Sequence, residues 1–124
     1  MDQASYLKNL SSTLFELSKA NILCDTTLIA SNREFSAHSV ILAAASPTLR
    51  SAFQNSPDVK NMYRLELHWL DGSTLESVLF LIYTGNLKPS DSDKDKDDSA
   101  NLIMTCEQLG LDWIWSQVDL THNK

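Results

Sequence analysis

Glycine is scarce in this sequence, with three residues among 124. A chain so poor in glycine offers no glycine-rich loop to cradle a phosphate and no Gly-x-Ser-x-Gly turn to present a nucleophile. Its two cysteines, Cys24 and Cys106, are too few for a disulfide framework or a cysteine-built metal cluster. No stretch approaches the roughly 18–20 apolar residues that span a bilayer. The N-terminus lacks a basic segment followed by an unbroken apolar run, so it does not read as a secretory signal. These absences place the expected setting inside the cell, with reduced thiols. Basic charge is also in deficit: ten Lys and Arg against sixteen Asp and Glu leave a formal net charge of -6. An acidic surface repels a phosphate backbone, so direct nucleic-acid binding by this piece is not expected. No internal repeat is visible.

What is present suits one globular domain over residues 1–124. Apolar residues make up 43% and charged residues 21%, enough apolar material for a real core. Residues 5–20 predict a first helix, in which Leu7, Leu10, Leu14 and Leu17 form an apolar seam. Tyr6 and Phe15 widen that seam. Either all of it packs on the domain's own core, or part of it meets a second copy. Thr26–Ala30 reads as a strand, Ser31-Asn32 as a turn and Arg33–Ser36 as a return strand. An apolar helix with Val40, Ile41, Ala44 and Ala45 follows. Ser46-Pro47 then marks the start of another helix, which carries Leu49, Ala52 and Phe53. Tyr63–Leu67 alternates with period two, as a third strand. Asp71-Gly72-Ser73 is a turn, with Ser73 and Glu76 spaced as a capping box. Leu75, Val78, Leu79 and Ile82 continue as a helix, and Gly85 is placed to stop it.

A polar stretch at about 88–99 reads as an acidic inserted loop. Its alternating aspartates invite comparison with a calcium loop, yet the required sixth-place glycine is Lys96 and the closing glutamate position is Leu102. A solvated loop is the better reading. Ala100–Leu109 returns to helix, stopped by Gly110, and Asp112–Leu120 reads as a short last helix. Trp113 and Trp115, being neighbours on that helix, cannot both face one core. They are candidate peptide contacts, or one packs inside while the other covers an edge. In total the pattern predicts an α+β (or α/β) domain of three short strands and about six helices.

Little in the chain points to catalysis. His38, Ser39 and Asp25 contain the residue types of a triad, but successive helical side chains diverge by about 100°. Ser39 is therefore poorly placed to use His38, which is expected to fill a buried slot and hydrogen-bond backbone near the hairpin. No enzyme, cofactor or metal site is expected. His68, His122 and the tryptophans show no metal-ligand spacing. Asp25 stands out, because a carboxylate entering an apolar strand costs several kcal/mol unless it is paired or well hydrogen-bonded.

Cys24-Asp25, Phe35, Ala37-His38, Val40-Ile41-Leu42, Ser46-Pro47 and Phe53, followed by Leu81-Ile82-Tyr83-Thr84-Gly85, closely resemble the signature of the BTB/POZ domain. The resemblance covers most of the chain. It implies a small sheet capped by helical hairpins and a protein–protein interaction module that forms homodimers through its first helix. Tyr6, Leu7, Leu10, Leu14, Phe15 and Leu17 would then form the interface. Other BTB proteins and co-repressor peptides are further implied partners. The resemblance to zinc-finger members implies a transcription regulator in the nucleus, this domain standing at the N-terminus of a longer chain. The extra N-terminal strand that some relatives exchange is expected to be short or missing.

Two departures matter. In zinc-finger members a basic residue follows the Ala-His pair and completes a charged pocket with the aspartate; here that residue is Ser39. Either Arg33 or Arg50 replaces the lost partner, or Ser39 and backbone amides hold Asp25, or Asp25 caps the strand entrance. Asp25, Arg33, Ser39 and Arg50 are thus the candidate pocket. The second departure concerns cullin-recruiting adaptors, which carry a hydrophobic-x-Glu motif where this chain has Phe53-Gln54-Asn55. The helical pair that follows in adaptors is also not expected, since residue 124 comes soon after the last helix of the domain. A ubiquitin-ligase substrate adaptor is therefore the less favoured alternative, beside a purely architectural pairing domain.

Overall fold

The computed structural model describes residues 2–55, 62–86 and 95–111. Helix α1 spans Gln3–Lys19, where the Asp2 side chain caps the first turn by accepting the Ser5 N–H at 2.7 Å. Strands β1, Thr26–Ile29, and β2, Glu34–Ala37, form an antiparallel hairpin. The Ala30 N–H donates to the Arg33 carbonyl, which leaves Ser31-Asn32 as the two-residue turn expected from sequence. Helices α2, Ser39–Ala45, and α3, Pro47–Asn55, carry the chain to β3, Tyr63–Glu66. β3 lies parallel to β1, so the sheet is mixed, in the order β2-β1-β3. Helix α4 spans Gly72–Thr84 and α5 spans Asp95–Gln108.

α4 is the central helix. It packs against α1 on one side, α5 on another and α2 as well. That is why its apolar residues are not confined to one stripe: Leu75, Val78, Leu79, Leu81 and Tyr83 are all buried. Leu28, Leu42, Leu65, Leu109 and Leu111 complete the core around it. Cys106 lies within the same core, as expected of a small apolar residue.

Several boundaries follow local chemistry. Ser46 Oγ accepts the Leu49 N–H at 3.0 Å and donates to the Leu109 carbonyl, so the residue before Pro47 caps α3 and also ties it to α5. Gly85 takes a left-handed backbone with φ 75° and ends α4. Gly110, at φ 72°, follows α5 in the same way.

The start of α4 differs from expectation. Asp71, not Ser73, is the cap, accepting the Thr74 N–H at 2.7 Å. Glu76 pairs with Arg33 at 3.3 Å instead of closing a capping box. A β-carbon at Gly72 would lie 2.5 Å from the Arg33 side chain and 2.9 Å from Asn32 Oδ1, so any larger residue there would displace these two side chains of the β1–β2 turn. α5 begins at Asp95, so the end of the stretch read as a polar loop is helical. Five helices are present among the described residues; the sixth, at 112–120, lies outside them, as do Trp113 and Trp115.

Candidate functional site

The seam on α1 divides in two. Toward the C-terminus of the helix, Leu14 and Phe15 pack against the core. The Phe15 ring meets Phe80 edge-on at 5.3 Å and Tyr83 at 5.7 Å. Leu17 is also half-buried. Ser18 is buried and donates to the Ser36 carbonyl at 2.6 Å, fastening the helix to β2. Toward the N-terminus nothing among the described residues covers the seam: Tyr6, Leu7 and Leu10 are 55%, 49% and 43% exposed. Beside Leu7, a groove of about 640 Å³ runs between α1 and α4, lined by Ser11, Phe15, Phe80 and Thr84. Of the six residues expected at an interface, three are therefore bare and three are shared with the protomer's own interior.

More exposed apolar side chains follow α1. Leu23 is 84% exposed and Val40, on the first turn of α2, is 74% exposed. Leu23 also holds a left-handed backbone, φ 60°, a conformation that costs an ordinary residue about 1–2 kcal/mol. Leu23 stands outside any periodic pattern in the sequence, whereas Val40 reads as part of the apolar helix with Ile41, Ala44 and Ala45, and the structure leaves it exposed instead.

Between them lies the polar cluster built on Asp25. Its carboxylate accepts the Ser39 N–H at 2.7 Å, the Ser39 hydroxyl at 2.5 Å and the Thr26 hydroxyl at 2.9 Å. Asp25 thus caps α2 from a distance in sequence, where the positive end of the helix favours a carboxylate. Burial pushes its carboxyl upward, but the bonds from Ser39 and Thr26 outweigh that and hold it below the usual 3.8. The two arginines of the candidate pocket lie elsewhere. Arg33 pairs with Glu76 and stacks over Phe35 at 4.6 Å, while Arg50 donates through Nε to the Ala43 carbonyl. Of the pocket expected from sequence, only Asp25 and Ser39 come together.

His38 is buried, and its ring spans two partners. Nε2 lies 3.0 Å from the Ile22 carbonyl and Nδ1 lies 2.8 Å from the Tyr83 hydroxyl. A carbonyl only accepts, so Nε2 carries a proton, and in the neutral ring Nδ1 accepts from Tyr83. The His38 N–H also donates to that hydroxyl at 3.0 Å. This is the buried, backbone-bonded histidine expected from sequence, and Ser39 gives its hydroxyl to Asp25 rather than to His38. Burial pushes the Tyr83 phenol above its ordinary value, with the charges of Cys24 and Asp25 adding to the rise against bonds from His38 and Ser18. Burial, then the Asp25 charge, likewise raises the Cys24 thiol and disfavours the reactive thiolate. Among the described residues no three His, Cys, Asp or Glu side chains converge on a metal position.

The BTB/POZ domain model matches residues 14–118. The chain belongs to the BTB/POZ family. This is a protein-interaction fold. Among curated proteins, Kelch-like protein 2 of Homo sapiens is 32% identical over 83 residues, which is 67% of this chain and 14% of that protein. Kelch-like protein 3 of Bos taurus is 31% identical over 110 residues, 86% of this chain and 19% of that protein. The BTB/POZ chain thus spans less than a fifth of the length of these relatives. Among solved structures, the BTB domain of zebrafish PATZ1 superposes with a TM-score of 0.71 at 20% identity, covering 94% of this chain and 90% of that one. That likeness establishes the shared α+β fold, with its small mixed sheet.

Proposed function

We propose that this domain joins protein chains by pairing with a second copy of itself through the N-terminal half of α1. The carrying observation is the run of Tyr6, Leu7 and Leu10 left bare on a helix whose other half is docked. Large apolar side chains clustered on one helix face are the material from which interface cores are made. The strained and exposed Leu23 supports the same reading, since strain of this kind is kept where a contact uses it. Co-repressor peptides and other BTB/POZ chains are further partners on this reading, in a transcription regulator of the nucleus. The Leu10→Asp variant tests the pairing. It should stay folded and lose the α1-held pairing, sedimenting as a smaller species than the parent at every concentration. An unchanged assembly would remove α1 from the interface.

A second reading is a substrate adaptor for a cullin-type ubiquitin ligase, favoured by the Kelch-like relatives. Against it stands the missing glutamate: the position is Asn55 at the end of α3, and Phe53 is buried against Tyr63 with ring centroids 5.0 Å apart. A pulldown with the cullin scaffold separates the two readings. Retention of the scaffold by this domain would favour the adaptor.

A further inference from the structure

β3 is the last strand of the sheet, and among the described residues nothing pairs with its outer side. Tyr63 and Leu67 send their N–H groups to Asp25 and Ile29, on the β1 side. Main-chain groups alternate along a strand, so those of Leu65 also face β1 and those of Arg64 and Glu66 face outward. Leu65 is buried in the core, whereas the Arg64 and Glu66 side chains are 62% and 59% exposed. They interact with each other only loosely, at 3.9 Å. Charges on an edge ordinarily discourage pairing. Here their order, Arg-Leu-Glu, is complementary to itself when reversed.

We propose that the outer edge of β3 is a second self-association surface, pairing antiparallel with β3 of another copy about a twofold axis at Leu65. In that register Arg64 lies opposite Glu66 of the second copy and Glu66 opposite its Arg64. These are also the residues whose main-chain groups point outward, so hydrogen bonding and charge select the same register. The neighbouring registers that keep the hydrogen-bonding phase set Arg64 against Arg64 or Glu66 against Glu66, and opposed like charges disfavour both. Exposed Met62 and His68 flank the strand and lie opposite each other across the axis. The occupant is therefore a second copy of this chain, and the contact joins the sheets of the two copies. It uses a different element from the α1 surface. A chain with both contacts assembles beyond the dimer.

Sedimentation across a wide concentration range tests this with the full chain, Arg64→Glu, the swap Arg64→Glu with Glu66→Arg, and each of these in a Leu10→Asp background. Both edge residues are exposed, so these changes spare the core. The parent should form species beyond the α1-held pair. Arg64→Glu should raise the dissociation constant of that step by about tenfold or more, and the swap should return it to within about threefold of the parent. In the Leu10→Asp background a residual self-association that Arg64→Glu abolishes and the swap restores supports the edge contact. The edge contact is overturned if Leu10→Asp is a monomer throughout, if Arg64→Glu changes nothing, or if the swap is no better than Arg64→Glu alone. Failure of the α1 reading looks different: Leu10→Asp then leaves the assembly of the parent unchanged, while Arg64→Glu still weakens it.

Discussion

The two halves of α1 share one seam and one helical repeat, yet they belong to different environments. Phe15 and Ser18 are held by aromatic rings and by the β2 backbone, whereas Tyr6, Leu7 and Leu10 project past the end of the core. α4, against which the docked half packs, ends at Thr84. The difference teaches that an apolar seam records what a helix can cover, while its neighbours decide how much is covered from within. The docked half should therefore govern stability and the bare half association.

The largest effect is expected where the docked half is cut. Phe15→Ala removes the contacts to Phe80 and Tyr83 and should cost about 2–3 kcal/mol, slightly less than a fully buried phenylalanine. Urea unfolding followed by circular dichroism measures it; a midpoint equal to the parent's would erase the distinction between the halves. Next comes Ser18→Ala, which leaves the Ser36 carbonyl without this donor and should cost roughly 1–2 kcal/mol by the same measurement.

The docked end leads directly into the Asp25 cluster, and a third test sharpens its role. Ser39→Ala removes one hydroxyl bond to Asp25 while keeping the main-chain one, for a loss of about 1 kcal/mol near neutral pH. The folded carboxyl of Asp25 lies below its ordinary 3.8, so its ionised form contributes fully above that pH. That contribution fades as acid takes the pH below 3.8 and through the lower folded value. Ser39→Ala should narrow this acid transition. A pH-stability profile parallel to the parent's would show that Asp25 draws nothing from Ser39.

The smallest effect on stability belongs to the bare half. Leu7→Ala should shift the unfolding free energy of a dilute monomeric sample by no more than about 0.5 kcal/mol, as expected of a surface position. The same variant should still weaken pairing in sedimentation. A loss as large as that of Phe15→Ala would mean that Leu7 is packed inside after all.

Much of this was legible in the residues. The hairpin, the cap at Ser46, the stop at Gly85 and the buried His38 follow from local rules with short reach in sequence. The spacing of Ser73 and Glu76 suggests a capping box, but Asp71 takes the Thr74 N–H and Arg33, brought in by the hairpin, pairs with Glu76. Arg33 and Arg50 are the cations the sequence offers for the candidate pocket, but Arg33 meets Phe35 and Glu76 and Arg50 the Ala43 carbonyl. Leu23 gives no signal because it lies outside any periodic element, and Val40 misleads because its apolar spacing with Ile41, Ala44 and Ala45 does not say which side of α2 is covered.

By itself the sequence determined where the chain turns, which stretches are helix or strand, and to which family the fold belongs, because caps, stops and periodicity act over a few residues. Only the tertiary structure decided that Asp25 is held by Ser39, that α1 is half docked, and that β3 forms an edge. Each of these depends on which distant segments arrive beside it, and packing sets that for the whole molecule at once.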